Sequence, residues 1–234
     1  MVKKMKKIGI IVALDEEREE ILNIMDDVEV KQVYNLRFLQ GTIEKKKCVL
    51  IKSGIGKVNA ARATQAMLDH FKVDYVINLG GAGSLNSLLD IGDVVIAKKV
   101  IQHDFDITAF GHSKGYITGV GAFIESNPDL VEEFSSVLEE TPEKNYKIKS
   151  GIVATGDIFC TESWMKDKIR AKFNADVEDM ECAAIAQVCY LSEKPFIAIK
   201  SISNTLKGDN AISYSNNVKL ASKRCANVLK EFLA

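Results

Sequence analysis

The sequence predicts an α/β domain: a three-layer α/β/α arrangement with a central mixed, mostly parallel sheet and helices on both faces. Three observations carry this. Short apolar runs alternate with segments of helical periodicity from end to end, the pattern of strands joined by crossover helices. The 234 residues, with only three prolines and no low-complexity linker, suit one domain over 1–234. Hydrophobic residues make up 47%, enough for a sizeable core.

The elements follow in order. Residues 8–13 read as a buried strand, and 15–25 as an amphipathic helix with Leu22, Ile24 and Met25 among its apolar positions. Residues 30–34, 37–43 and 48–53 read as meander strands. Residues 57–71 form an Ala-rich helix suited to close packing, and 75–79 a short strand ended by Gly80-Gly81-Ala82-Gly83. A strand follows at 93–102. The helix over 127–140 is opened by Asn127-Pro128-Asp129, with Leu130, Val131, Phe134 and Leu138 at helical spacing. Residues 148–154 are a strand, and Thr161-Glu162-Ser163 caps a helix reaching 173. A short extended segment then carries Asp176, Glu178, Asp179, Met180 and Glu181 into a small-residue helix over 181–191. Residues 196–203 are a buried strand ending at Asn204, and 214–233 the last helix.

Charge and cysteine content exclude several classes. With 31 basic and 32 acidic residues the net charge is −1, which gives no electrostatic case for nucleic acid or an anionic membrane. No stretch approaches the ~20 apolar residues of a spanning helix. Five cysteines, an odd number without a CxxC, read as reduced thiols of a cytoplasmic protein. The lysine-rich start at 1–7 followed by apolar 8–14 mimics a secretory signal. Its apolar run is too short, and Asp15-Glu16-Glu17 stands where a small-residue cleavage site belongs.

Ligands on such sheets sit beyond the carboxyl ends of the strands. That rule selects 14–17, 79–83, 155–160, 179–181 and Asn204. Asp15 and Glu16 are explained by first-turn acidity, whereas Glu17 lies near the end of the first strand. The glycines at 80–83 serve either close backbone approach to a ligand or plain turn geometry, and they do not spell GxGxxG. Gly54-Ile55-Gly56-Lys57-Val58 lacks the phosphate-loop spacing and has Val58 where a hydroxyl belongs, so it reads as a strand-to-helix turn. His103-Asp104-Phe105-Asp106 resembles a metal cluster, but with His70 and His112 the only other histidines no second cluster completes it, and no metal is expected. Phe159 is either core or a flat platform for a base. Carboxylates at 176–181 stand at a helix N-terminus, well placed to grip sugar hydroxyls.

Together these residues resemble the 5′-methylthioadenosine/S-adenosylhomocysteine nucleosidases, within the nucleoside phosphorylase superfamily, over essentially the whole chain. The likeness rests on six segments in order: Gly9 to Glu17, Lys52 to Val58, Asn78 to Gly83, His103 to Gly111, Gly156 to Phe159, and Asp179-Met180-Glu181. The resemblance implies hydrolysis of the bond between adenine N9 and ribose C1′, without metal or organic cofactor. It implies Glu17 as the base that activates water, and Glu181, beside Asp179, holding the ribose hydroxyls. Met180 would lie along the ribose and 5′ substituent. Phe159 would stack on adenine, with backbone at Cys160 reading its edge and Gly81 in the glycine segment near the ligand. Tyr214 would cover the 5′-alkylthio group. Ile107 and Phe110 would complete that pocket from the other subunit of a homodimer.

Cleavage passes through an oxocarbenium-like sugar, so one group must neutralise the departing base while another delivers water to the opposite face. The family pattern has Asp at position 204, where it supplies a proton to adenine N7. An Asn there can donate a hydrogen bond but not hand over its proton, so turnover is expected to fall by ~10²–10⁴ while purine binding survives. A deliberate change that traps an intact nucleoside fits, since every other motif is in place; a natural divergence toward another purine or a binding role is the rival. Leu79 and Gly81 also stand where hydroxyl residues are common. Two other functions stay open. A purine nucleoside phosphorylase would need cations near C1′, and the glycine segment carries none. A catalytically dead purine-nucleoside-binding protein would keep the fold without the acid.

Overall fold

In the computed structural model, which describes residues 7–140, 145–206 and 210–234, ten strands join one mixed sheet. The lysine-rich start of the signal-like segment lies, up to residue 6, outside the described residues. The chain runs β1 (Ile8–Val12), α1 (Asp15–Leu22), β2 (Asp26–Val33), β3 (Leu36–Ile43), β4 (Lys46–Lys52), α2 (Lys57–Phe71), β5 (Tyr75–Ser84) and β6 (Val94–Gln102). After a 3-10 turn at Thr108–Phe110 come β7 (Ile124–Glu125), α3 (Pro128–Glu140), β8 (Ile148–Thr155) and α4 (Ser163–Phe173). The chain ends with β9 (Val177–Asp179), α5 (Cys182–Leu191), β10 (Phe196–Asn204) and α6 (Asn210–Leu233).

Parallel ladders join β4 to β1, β1 to β5, β5 to β10, β6 to β8 and β8 to β9. Antiparallel ladders add the β2–β3–β4 meander and join β10 to β6, β5 to β9 and β6 to β7. One edge of β5 pairs first with β1 and then, at Gly83 and Ser84, with β9. Its other edge pairs with β10. The strands β5, β10, β6, β8 and β9 therefore close into a ring.

Strand alternation divides the core. Ile8, Ile10, Val12 and Leu50 point to one face, where Ile21 of α1, Phe134 of α3 and Leu229 of α6 pack. Ile11, Val49 and Ile51 point to the other, against Ala60, Ala63 and Met67 of α2 and Ala183 and Ala186 of α5. Alanines let α2 and α5 approach closely. A third cluster, with Ile101, Ala154, Ile169 and Phe173, holds α4.

Several expected boundaries shift for local reasons. Helix α1 ends at Leu22 because Ile24 and Met25 donate to Ile21 and Leu22 in a tight turn, which drops Met25 into the core. Strand β5 does not end at Leu79; it runs through the glycines to Ser84, since β10 and β9 offer it ladder partners throughout. Helix α4 has Glu162 as its N-cap, which makes no capping bond through its side chain. Among the described residues no helix is long and apolar enough to cross a membrane.

Candidate active site

Several element ends meet in one cavity. It is lined by Ala13, Leu14 and Glu17 near the end of β1, by Gly81–Gly83 of β5, and by Phe159. Glu178–Glu181 at the β9–α5 junction, Ser203 and Asn204 of β10, and Tyr214 of α6 complete it.

Glu17 sits in the first turn of α1 and is 5% exposed. Its Oε2 accepts the N–H groups of Ala13 (2.8 Å) and Leu14 (3.0 Å), donors that a helix start leaves unpaired. Its Oε1 accepts from Gly81 N at 2.9 Å. A Cβ on Gly80 would strike this carboxylate, so glycine there is needed for close approach. Burial raises the Glu17 pKa; Lys200 and the three backbone donors pull the other way.

Glu181 is the N-cap residue of α5, and its Oε1 accepts from Gly56 N at 2.8 Å. Gly56 has φ +95° and precedes α2. The turn at 54–58 thus orients a cavity carboxylate, while Lys57 Nζ pairs with Asp104 at 2.7 Å. Burial, then the neighbouring Asp179, push Glu181 up to about 8.

Asp179 is the last residue of β9. Its carboxylate accepts from Thr155 Oγ1 (2.6 Å) and from Cys182 N (2.9 Å) and pairs with Lys200 Nζ at 2.8 Å. Asp179 and Lys200 side chains are each 2% exposed. Burial works against the Lys200 charge, but Asp179, with Glu181 nearby, outweighs it and leaves the ammonium held firmly protonated. Thr155 also accepts from Ala183 N at 2.9 Å, so the first turn of α5 is capped by Asp179 and Thr155 together.

Asn204 is 1% exposed, and Ser203 Oγ donates to its Oδ1 at 3.0 Å. Phe159 is half-buried and meets Tyr214 edge-on, with ring centroids 5.6 Å apart at 77°. Met180 is half-buried on the cavity wall. Cys160 is fully buried, and burial first, then Glu178, push its thiol up to about 12. Ile107 and Phe110 stand outside this cavity, Phe110 with 80% of its surface exposed.

The sequence reading therefore brings Glu17, Gly81, Phe159, Asp179, Met180, Glu181, Asn204 and Tyr214 to one place. It missed Lys200 and Glu178. Lys200 had a signal: a lone cation in a fully buried strand must find an anion. Glu178 had only its position in a three-residue strand whose neighbours the sequence does not reveal.

The profile of the phosphorylase superfamily matches residues 7–234. A 5′-methylthioadenosine/S-adenosylhomocysteine nucleosidase of Buchnera aphidicola subsp. Schizaphis graminum is 39% identical over 229 residues, 97% of this chain and 96% of that protein. Among solved structures, the Neisseria meningitidis nucleosidase in complex with methylthio-immucillin-A superposes with a TM-score of 0.93 at 33% identity, over 97% of this chain and 98% of that one. An Asp→Asn variant of the Helicobacter pylori nucleosidase, with 5′-methylthioadenosine in its active site, gives 0.92 at 31% identity over 97% of each chain.

Proposed function

We infer the reaction from one premise: this chain belongs to the phosphorylase superfamily and, within it, to the 5′-methylthioadenosine/S-adenosylhomocysteine nucleosidases. It hydrolyses the N-glycosidic bond of 5′-methylthioadenosine and S-adenosylhomocysteine, releasing adenine and a 5′-thio-ribose. The single observation that carries the assignment of roles is the meeting of Glu17, Glu181 and Asn204 in one cavity from three separate elements.

Glu17 takes the proton from the water that attacks C1′. Its three backbone donors hold both oxygens in place and favour the ionised form a base needs. Glu181 grips the ribose hydroxyls, and Asp179 with Lys200 fixes the backbone it stands on. Met180 lies along the ribose and the 5′ substituent, and Tyr214 covers the alkylthio group. Phe159 stacks on adenine, backbone at Cys160 reads its edge, and Gly81 admits the ligand close to β5. Asn204 holds N7 by a hydrogen bond. Being an amide it transfers no proton, and by itself it leaves a deficit of ~10²–10⁴ in rate. These roles call for no metal or organic cofactor.

The half-buried Ile107 and the exposed Phe110 support a homodimer in which they complete the partner's pocket. Phe110→Asp is expected to shift the sedimentation coefficient toward a monomer and raise KM together. Five free thiols support a cytoplasmic setting. The direct test is adenine release from methylthioadenosine in phosphate-free buffer, for this chain and for Asn204→Asp. No release from either protein, or release only with phosphate, would overturn the reading.

A further inference from the structure

Asn204 leaves the departing purine without a proton donor, yet the same cavity holds a carboxyl that none of the roles above employs. Glu178 is the middle residue of β9, 3% exposed, and lines the cavity beside Asn204. Sheet register fixes the two against each other. Gly83 pairs with Glu178 across one edge of β5 and with Asn204 across the other. A Cβ on Gly83 would strike the Glu178 carboxylate and stand 3.1 Å from Asn204 Nδ2. Ser203 holds the amide oxygen, which turns Nδ2 toward Gly83 and Glu178. Carboxyl and amide thus come together over Gly83, in space that a side chain there would fill.

The groups facing Glu178 are Lys166 from α4, the Cys160 thiol, its chain neighbour Asp179, and Asn204 from β10. Lys166 is itself fully buried, and its Nζ donates to Thr205 O at 3.2 Å. Burial outweighs the pull of Lys166 and raises Glu178 to about 7, so near neutral pH a substantial fraction carries a proton. An acid with a pKa near the working pH is the efficient donor.

We propose that Glu178 is the catalytic acid that protonates the leaving adenine, with Asn204 positioning the base beside it; this rests on the nucleosidase reading above. As the C1′–N9 bond breaks, its electron pair passes to the purine and the Glu178 proton moves to N7. The water oxygen bonds to C1′ and its proton moves to Glu17. Glu178 ends ionised opposite Lys166, Glu17 ends protonated, and exchange with solvent restores both.

The test compares the wild-type protein, Glu178→Gln, Asn204→Asp and the double variant. Adenine release from methylthioadenosine is followed in single turnovers, and nucleoside binding by calorimetry. The wild type should lie within ~10-fold of Asn204→Asp, whereas Glu178→Gln should lose ~10²–10⁴ in rate with binding retained. The double variant should recover to within ~10-fold of Asn204→Asp, a rescue that repair of packing alone would not give. A Glu178→Gln protein that turns over at the wild-type rate would overturn the proposal. So would a double variant that stays inactive, or has lost binding, while Asn204→Asp is active. No release from either the wild type or Asn204→Asp would instead sink the nucleosidase reading, and an inactive Asn204→Asp beside an active wild type would overturn this proposal alone.

Discussion

Replacing Lys200 with Met removes the cation paired with Asp179 in the buried wall of the cavity. The pair is 2.8 Å apart with both side chains 2% exposed, so water screens it little. Met fills a similar volume but strands the Asp179 carboxylate, which keeps only Thr155 Oγ1 and Cys182 N. Breaking one side of a buried ion pair costs ~3–5 kcal/mol. At ~2.1 cal/mol/K per residue, a chain of this length unfolds with an entropy near ~0.5 kcal/mol/K, so the melting temperature should fall by ~6–10 °C. Differential scanning calorimetry reads this directly. Loss of Lys200 also withdraws the charge that holds Glu17 and Glu181 toward their ionised forms. KM for methylthioadenosine should therefore rise as ribose grip weakens, and the acid limb of activity should move to higher pH. Adding Asp179→Asn removes the stranded charge while keeping a cap for α5, and should recover at least half of the lost stability. A Lys200→Met protein melting within ~2 °C of wild type would refute the pairing as the source of stability.

Three further outcomes follow from the same geometry. Glu17→Gln should lower kcat by ~10²–10⁴ with nucleoside affinity nearly unchanged, since the amide cannot accept the proton of water; equal kcat would remove Glu17 from the chemistry. Phe159→Ala should weaken adenine binding ~5–150-fold by calorimetry, the usual worth of stacking one base on an aromatic ring, and an unchanged affinity would return Phe159 to the core. Glu178 has a folded pKa of about 7, raised from 4.5, so the folded state binds its proton more tightly. Its contribution to stability is full below about pH 4.5 and is lost as pH rises through about 7, a change of ~3 kcal/mol. Urea unfolding of Glu178→Gln between pH 5 and 8 should show a flatter decline than the wild type; parallel curves would contradict the burial of an ionisable group there.

Local chemistry made most elements legible. Helix α2 falls where expected at both ends, because Gly56 at φ +95° and Lys72 at φ +50° interrupt the chain on either side of its alanine stripe. The strand at the glycines did not, because ladder partners from β9 and β10 carry it past residues with weak strand preference. Glu17, Glu181 and Asn204 were legible through their places at strand and helix ends, together with the motifs around them. Ile107 and Phe110 lie outside the cavity, and nothing in the spacing of a single chain brings them to it.

By itself the sequence determined where most helices and strands lie and which family the chain resembles, because these depend on spacing within a few residues. Only the tertiary structure decided that five strands close into a ring, that Lys200 meets Asp179, and that Glu178 faces Asn204 across Gly83. Alternation tells a side chain which face to take but not which strand will lie alongside. That choice is made by register between segments far apart in the chain, and it is where a second acid enters the pocket.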